Sequence, residues 1–378
     1  MPRCEDDPLG VRADFPITDT RTYLNTAYIG PLSTPARNAA DAYSREKLTW
    51  AASRHQLENK ETARIKFATL FGAKPEEVAL LYSTSDGENI VARGLGLKRG
   101  DNVVVDELHF PTAFLLYRQL EKELGIELRI IPANDGRVEL ERYEDHIDQR
   151  TRLVSVAWVS NRNGYRQDLQ KLAALVHQHG ALLYADAVQA IGTFPVELTN
   201  LGVDFLTCGS YKWLFANFGV APFFIREEHL DRIGCDRYGH TQIVQTLSDH
   251  RFQLHESAKK YEYASLAFGP VAELAAALDY LERIGLARIE AHTVGLAQQL
   301  RERVFNMGLD TWTPAANSSP IVSFKHACNP THLKRQFEKE ALDVTFREQN
   351  DEVIRVAIAL FNNRADIDRL ITVIEQAA

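Results

Sequence analysis

The most regular feature of the chain is a series of short apolar runs between residues 77 and 225, separated by stretches with helical spacing. The runs are EVALLY (77–82), NVVVD (102–106), ELRIIP (127–132), RLVSVAWV (152–159), ALLYAD (181–186), DFLTC (204–208) and VAPFFI (220–225). Continuous apolar runs, unlike alternating ones, are typical of strands covered on both faces. With helices between them, they predict an α/β fold with a mixed, mostly parallel sheet flanked by helices.

The helical stretches carry their own boundary signals. In DLQKLAALVHQHG, Asp168 is a predicted helix cap and Gly180 a predicted stop, with one apolar face between them. After residue 255 a long helical stretch (266–304) precedes the strand candidates SPIVSF and VIRVAIAL and a terminal amphipathic helix. This predicts an N-terminal arm over 1–22 that packs with the small domain, a large domain over 23–255, and a smaller α+β domain over 256–378.

Polar residues directly follow several of the apolar runs. Ser83, Thr84 and Ser85 follow the first run, Asn161 the fourth, Asp186 the fifth, and residues 210–212 the sixth. Because ligands of open α/β sheets bind at the carboxyl ends of the strands, we expect the functional site there.

Asp186 and Lys212 are the most informative pair among them. They lie 26 residues apart, one crossover connection, which predicts that both sit at the same edge of the sheet. Apolar walls from Tyr211 and Trp213 would lower the pKa of the amine. A lysine that holds an aldehyde as a Schiff base, with a carboxylate that keeps a pyridine nitrogen protonated, is the pairing that pyridoxal phosphate requires. The alternatives are a solvated Lys212 and an Asp186 that caps a helix beginning near Val188.

The stretch STSDGENIVARGLG predicts a place for the cofactor's phosphate. It offers hydroxyl groups followed by the N-terminus of a helix, where free N–H groups favour an anion. Thr84 and Ser85 are the predicted donors. An ordinary helix cap is the alternative.

Composition narrows the class of protein. The 378 residues carry a formal charge of −8, and no basic block suggests a nucleic-acid partner. No stretch approaches a membrane span, and MPRCEDDPLG has no apolar signal region, so we expect a cytoplasmic protein. The four cysteines are widely spaced, with no metal-binding or disulfide pattern, and no metal site is expected.

The motifs ADAVQAIG and GSYKWL, with YLNTAYIGPL near the start and IRVAIALFNNRADIDRL near the end, make the chain resemble the class V aminotransferase family of fold-type-I pyridoxal-phosphate enzymes. The family includes cysteine desulfurases, isopenicillin N epimerase-like proteins and kynureninases. The resemblance implies that Asp186 pairs with the pyridine nitrogen, that Gln189 contacts the phenolic oxygen, and that Lys212 forms the Schiff base. It also implies that Asn161, in SNRNGY, lies near the phenolic oxygen or the substrate carboxylate.

Several further residues follow from the resemblance alone. The segment ELHFPTAF implies that Phe110 stacks on the cofactor ring, with His109 as the second candidate, and Tyr211 resembles the phosphate-contacting tyrosine of kynureninases. RVAIALFNN implies that Arg355 binds the substrate carboxylate. The remaining implied residues are Ser210 in the cofactor site, Tyr28 in the substrate site, and Ser265, reaching the phosphate across a homodimer.

The reaction stays open between several outcomes. Desulfurases of the family carry a cysteine shortly before the carboxylate arginine, and TFREQNDEVIR contains none; Cys328 lies farther upstream. We therefore expect no persulfide chemistry. Aminotransferase-type chemistry on an α-amino acid is preferred, with carbon–sulfur β-lysis on a cysteine-type substrate and epimerisation as alternatives. A cofactor-binding sensor without turnover is a further alternative, which no basic face supports.

Overall fold

The computed structural model describes residues 7–49, 53–347 and 352–377, and of residues 53–57 it describes the backbone only. Its strands are β1 (Thr22–Tyr23), β2 (Val78–Leu81), β3 (Asn102–Asp106), β4 (Glu127–Ile131), β5 (Thr151–Ala157), β6 (Leu182–Asp186), β7 (Phe205–Thr207), β8 (Ala221–Ile225), β9 (Ile243–Thr246), β10 (Phe252–Leu254), β11 (Ile321–Lys325), β12 (Leu342–Asp343), β13 (Thr345–Arg347) and β14 (Val353–Ala357). Its α-helices are α1 (Thr34–Thr49), α2 (Ser53–Leu70), α3 (Thr84–Gly94), α4 (Pro111–Leu124), α5 (Leu140–Glu144), α6 (Leu169–Gln178), α7 (Phe268–Ile284), α8 (Leu286–Asn306), α9 (Pro330–Lys339) and α10 (Arg364–Ala377).

Seven strands form the central sheet, in the order β2-β8-β7-β6-β5-β3-β4. β3 to β7 are mutually parallel, and β8 runs antiparallel to both of its neighbours. All seven predicted apolar runs are strands of this sheet, and apolar clusters cover both of its faces. The predicted α/β fold with a mixed, mostly parallel sheet is confirmed.

The predicted helix signals are confirmed where they were most specific. Asp168 caps α6 by accepting a 3.2 Å hydrogen bond from the backbone N–H of Lys171, and Gly180 follows the helix with φ 71°. The long helical stretch after residue 266 is two helices, because Gly285, with φ 91°, separates α7 from α8. A left-handed or otherwise positive φ is a conformation that glycine adopts without a steric penalty.

The C-terminal part contains a second, antiparallel sheet in the order β11-β14-β13. Its apolar side chains pack with those of α9, α10 and the second half of α8. The apolar side chains of α7 and the start of α8 belong to the core of the central sheet. The domain boundary predicted between residues 255 and 256 stays a prediction. The chain passes from the core of the central sheet to the core of the small sheet only within α8.

The described part of the N-terminal segment contacts the C-terminal part. Arg12 forms a 2.8 Å ion pair with Asp366, and β1 pairs in parallel with β12. These contacts support the predicted packing of the arm, although the arm as a separate unit stays a prediction. Among the helices that the structure describes, none has the length and apolar character needed to cross a membrane.

Candidate active site

A cavity of about 200 Å³ lies at the carboxyl ends of β5, β6 and β7. Parallel pairing places the ends of these strands side by side, so the polar residues that follow them converge. Eight of the residues predicted from the sequence line this cavity: Thr84, Ser85, Phe110, Asn161, Asp186, Gln189, Tyr211 and Lys212.

Asp186 is the last residue of β6, and it lines the cavity as a half-buried residue. Burial raises the pKa of this carboxyl group, while a hydrogen bond from the Val188 N–H and the charge of Lys212 act in the opposite direction. The 2.9 Å bond to Val188 belongs to a turn, since residues 187–192 form no helix. The helix that Asp186 was alternatively expected to cap is therefore not there.

Lys212 lies five residues past the end of β7 and is only 7% exposed. Burial lowers the pKa of its amine to about 8, and Asp186 opposes that effect. The solvated lysine of the alternative interpretation is wrong. The backbone is held closely from the other side, because a Cβ atom on Gly30 would lie 2.0 Å from the Lys212 carbonyl oxygen. Gly30 also donates a 2.8 Å backbone hydrogen bond to the Tyr211 carbonyl.

The two aromatic neighbours of the lysine have different roles. The Tyr211 ring lines the cavity and stacks on Phe218, with 4.1 Å between ring centroids. Trp213 does not line the cavity; its indole N–H donates a 2.7 Å hydrogen bond to Oε1 of Gln189. The expectation that Trp213 forms a wall beside the amine is therefore wrong.

Gln189 has an unambiguous amide orientation. Trp213 can only donate and a backbone carbonyl can only accept, so Oε1 faces the indole and Nε2 donates to the Ala27 carbonyl at 2.9 Å. One N–H of the amide remains for a ligand in the cavity. This supports, and does not test, the predicted contact with the cofactor's phenolic oxygen.

At the start of α3, the residue that caps the helix is not one of the predicted phosphate donors. Ser83 is the cap, and its hydroxyl accepts a 3.2 Å hydrogen bond from the Asp86 N–H. Thr84 and Ser85 follow as the first helical residues, and the Thr84 hydroxyl oxygen is buried with no hydrogen-bond partner. A buried hydroxyl at a helix N-terminus suits a phosphate group.

His109 and Phe110 point to opposite sides. Phe110 is 39% exposed and lines the cavity, whereas His109 is 1% exposed and does not line it. Burial lowers the pKa of His109 to about 3, and its Nε2 lies 3.1 Å from the Ser155 hydroxyl. Of the two stacking candidates, the structure brings only Phe110 to the cavity.

Arg355 lies on β14, the central strand of the small sheet, beside Asn161. Its guanidinium donates a 2.8 Å hydrogen bond to the Asn161 carbonyl and a 2.9 Å bond to the Thr345 hydroxyl. Burial lowers its pKa to about 9, and within residues 7–49, 53–347 and 352–377 no carboxylate pairs with it. The Arg355 Nε and the Asn161 side-chain oxygen are both buried without hydrogen-bond partners.

Besides His109 and Arg355, three other predicted residues are not part of the cavity lining. The Ser210 hydroxyl is turned toward the backbone carbonyls of Asn217 and Val220, at 2.6 and 2.7 Å. Its predicted contact with the cofactor is not supported, because its only proton is engaged elsewhere. Tyr28 is 64% exposed outside the cavity. Ser265 is exposed at the rim, where its carbonyl accepts a hydrogen bond from the hydroxyl of Tyr82, a lining residue.

Glu88 and Phe218 line the cavity and were missed from the sequence. Glu88 is 5% exposed although it lies in a helix that also carries exposed polar residues. Its spacing of four residues from Thr84 places both on one side of α3, which is the signal that could have identified it.

The residues present fit pyridoxal phosphate. An amine of lowered pKa, the half-buried Asp186 carboxylate and an unpartnered buried hydroxyl at a helix N-terminus meet in one cavity. Lys212 would hold the aldehyde, Asp186 the pyridine nitrogen and Thr84 the phosphate. A lysine and a carboxylate at the two ends of the ring are the donor set that this cofactor requires.

Comparison with known proteins gives the same answer. The family model described as Aminotransferase class-V matches residues 47–370. A probable cysteine desulfurase of Methanothermobacter thermautotrophicus is 29% identical over 83% of this chain and 80% of that protein. An uncharacterized aminotransferase, YcbU, of Bacillus subtilis is 32% identical over 75% of this chain and 76% of that protein.

Solved structures agree on the fold. The apo cysteine desulfurase of Thermococcus onnurineus has a TM-score of 0.89, with 26% identity and 98% of each chain covered. A C-DES mutant with glycine covalently linked to its pyridoxal-phosphate cofactor has a TM-score of 0.90, with 20% identity, covering 97% of this chain and 99% of that one. The chain belongs to the class V aminotransferase family and is an enzyme that depends on pyridoxal phosphate.

Proposed function

We propose that this enzyme acts at the Cα atom of an α-amino acid, with Lys212 as the residue that holds the cofactor and moves the Cα proton. The observation that carries the proposal is the buried Lys212 amine, whose pKa of about 8 leaves a substantial neutral fraction near neutral pH. A lysine that is 7% exposed and lines the same cavity as the Asp186 carboxylate can accept and return a proton there.

Asp186 would hold the ring nitrogen of the cofactor, and Arg355 would hold the carboxylate of the substrate. Bound pyridoxal phosphate supplies an electron sink for the pair left when the Cα proton is removed. The Asp186 carboxylate would favour a protonated ring nitrogen, because an anion in a buried site stabilises a nearby cation. The Arg355 guanidinium would bind the substrate carboxylate, since it is buried and faces no carboxylate among the described residues.

We propose transamination as the overall reaction. The B. subtilis relative at 32% identity is named an aminotransferase, which supports this outcome. Transamination needs a proton moved between two carbon atoms, which a single lysine can perform, and a water molecule that releases the keto acid. The described residues at the cavity include no cysteine, in line with the proposed absence of persulfide chemistry.

Carbon–sulfur bond cleavage in a cysteine-type substrate is the second candidate. Relatives from several organisms are named cysteine desulfurase, and a structural neighbour is a cystine C–S lyase bound to cysteine persulfide. The segment that would carry a family persulfide cysteine includes residues 348–351, which lie outside the described residues. Its sequence contains no cysteine.

The products formed from a panel of amino acids distinguish the candidates. Transamination yields a keto acid and the amine form of the cofactor, and a second keto acid restores the starting spectrum. β-Elimination from cysteine or cystine instead yields pyruvate and ammonia with a sulfur product, and desulfuration of cysteine yields alanine with a sulfur product. An enzyme that releases ammonia and a sulfur product without converting its cofactor would contradict transamination.

Reduction with borohydride tests the assignment of Lys212. The cofactor label is expected on the peptide that contains Lys212 and is expected to be lost in Lys212→Ala. Lys260 provides a matched control, because burial also lowers its pKa and it lies outside the cavity. Lys260→Arg should keep the label on Lys212. A label on any other lysine would show that the site is assigned wrongly.

We also propose a homodimer in which Ser265 of one subunit contacts the phosphate in the other. Ser265 is exposed, so its side chain is accessible to a second subunit, which supports this arrangement. Mixing Lys212→Ala with Ser265→Ala subunits should restore activity, because one site of each hybrid would then have both groups. Activity that never exceeds that of the separate variants would contradict sharing.

A further inference from the structure

Glu88 is an ionisable group in the cavity for which neither the cofactor contacts nor the proposed reaction accounts. It lies in α3, four residues after Thr84, and the two side chains therefore emerge on the same side of the helix. Glu88 is 5% exposed and lines the same cavity as Asp186 and Lys212. A buried carboxyl group costs stability unless its surroundings compensate, so its surroundings are informative.

A directed hydrogen-bond chain ends at this carboxyl group. The Phe110 N–H donates to Nδ1 of His109 at 2.7 Å, so the neutral imidazole carries its proton on Nε2. Nε2 lies 3.1 Å from the Ser155 hydroxyl oxygen, which donates in turn to Oε1 of Glu88 at 2.8 Å. The chain fixes Oε1 as an acceptor, so a proton on the carboxyl group would lie on Oε2.

In the described part of the chain, no cation balances a negative charge on Glu88. Among the described residues, the one basic group within ion-pair distance is His109, at 3.8 Å, and burial keeps that imidazole neutral. The other ionisable groups that act on Glu88 are acidic and act in opposite directions: the charge of the Asp186 carboxylate raises its pKa, and a hydrogen bond from the buried Tyr117 phenol lowers it. Tyr184, on the sheet beneath, is likewise buried and protonated.

We propose that Glu88 is a proton-holding positioning residue of the cofactor site, a neutral carboxyl group that the His109–Ser155 chain keeps beside Asp186. The inference rests on the proposed placement of the cofactor between Asp186 and Lys212. Its basis is geometric, because two carboxyl groups and one lysine share one cavity, and among the described residues the second carboxyl group has no cation of its own. Two buried carboxylates close together do not both ionise readily.

The protonation of Glu88 would then set the charge of the site near neutral pH. Burial and Asp186 raise its pKa to about 7, so the site would gain a negative charge as the pH rises past that value. An additional negative charge changes the electric field at the cofactor ring and hence its absorption. Asp186 alone would provide the fixed charge below that pH.

The absorption spectrum of the cofactor-loaded enzyme tests this directly. Between about pH 5 and about pH 9, the wild type should show a titration step near pH 7 that Glu88→Gln lacks, since glutamine keeps the acceptor but cannot ionise. Ser155→Ala should move the step to higher pH, because the Ser155 hydrogen bond favours the ionised form. Superimposable titrations of wild type and Glu88→Gln would overturn the proposal.

Thermal unfolding of the apoprotein gives a second measurement that needs no cofactor. Because the folded state binds the Glu88 proton more tightly than the unfolded state, the stability of the folded protein falls as the pH rises from 4.5 to about 7. The melting temperature of Glu88→Gln, measured relative to that of wild type, should therefore rise with pH over this range. A constant difference would also overturn the proposal.

Glu273 provides the matched control. It is also a buried glutamate with a pKa raised by burial, but it lies outside the cavity and accepts a hydrogen bond from the Asn217 N–H. Glu273→Gln should alter the pH dependence of unfolding and leave the cofactor spectrum as in wild type. Failure of the wild type to bind the cofactor at Lys212 would contradict the proposed function instead, while the apoprotein measurement would still test Glu88.

Discussion

Asp186 and Lys212 line one cavity, and the charge of each counteracts the pKa shift that burial causes in the other. Burial lowers the pKa of the Lys212 amine to about 8, and the Asp186 carboxylate acts to raise it. In the other direction, the Lys212 charge acts to lower the pKa of Asp186, which burial raises. The amine is therefore easier to deprotonate than an ordinary lysine, and yet it has an anion near it.

The rate at which the apoprotein captures pyridoxal phosphate should follow the neutral fraction of Lys212. We expect the rate to rise with pH and to level off above about pH 8, because the neutral amine is the nucleophile. Stopped-flow absorbance after mixing would measure it. An inflection near about pH 10, the value of an unperturbed lysine, would show that the amine is not desolvated in solution.

Asp186→Asn should retain cofactor and lose most turnover. Asparagine preserves an acceptor for the Val188 N–H but removes the charge expected to face the ring nitrogen. Loss of a buried ion pair of this kind corresponds to roughly a thousandfold or more in rate. The comparison is made per cofactor-loaded subunit, and turnover close to wild type would reduce Asp186 to a turn residue.

The same variant should shift the capture profile of Lys212. Because Asp186 acts to raise the pKa of the amine, its removal should move the inflection to lower pH. An unchanged inflection would mean that the two groups do not interact electrostatically.

The sheet and the place of its site could be predicted from the sequence because two-sided burial leaves a strong pattern. A strand covered on both faces must be apolar throughout, and a polar residue after it then marks the sheet edge, as at Asp186. The direction of β8 could not be predicted, since VAPFFI is equally apolar in a parallel or antiparallel strand.

The details of the site were harder to predict because they depend on distant partners. Gln189 is oriented by Trp213, 24 residues away in the chain, so Trp213 serves as a donor and not as a wall. His109 and Phe110 are adjacent, and only the packed loop shows which side chain faces the cavity. Glu88 resembles a surface residue in the sequence, and its burial follows from where α3 packs on the sheet.

Replacement of all four cysteines should leave turnover per cofactor-loaded subunit intact. Cys328 is half-buried and packs against the small-sheet core, and burial raises the pKa of its thiol, which disfavours the nucleophilic thiolate. Cys208 is fully buried, so alanine is preferable to serine there; an unpaired buried hydroxyl would cost about 1–3 kcal/mol. Cys4 lies outside the described residues.

The single variant Cys328→Ala is the sharper half of this experiment. Normal cofactor loading with abolished sulfur release from cysteine would contradict the absence of persulfide chemistry. Cys235→Ala is the control, because its thiol is also half-buried with a raised pKa.

Asp204→Asn should destabilise the protein without altering the site. Asp204 is 1% exposed and accepts hydrogen bonds from His229 at 2.7 Å, from His177 at 2.9 Å and from the Leu183 N–H at 2.7 Å. Leaving the buried His229 or Leu183 donor unpaired costs about 1–3 kcal/mol in the free energy of unfolding. Asp204 precedes β7 at the end away from Lys212, so turnover per folded subunit should be unchanged.

The pH dependence of the stability lost in Asp204→Asn shows how much of that loss is electrostatic. The pKa of Asp204 is lowered in the folded protein, so its contribution is present above 3.8 and is lost as the pH falls through the folded value. The pKa of His177 is raised, chiefly by its hydrogen bond to Asp204, so its contribution is present below 6.5 and is lost as the pH rises through the folded value. Urea unfolding should therefore show the largest difference between wild type and Asp204→Asn at about pH 5 to 6, and a smaller one at about pH 9. His177→Gln, which keeps an N–H donor but cannot titrate, should remove the decline on the alkaline side. An equal loss at both pH values would mean that Asp204 acts through hydrogen bonding alone.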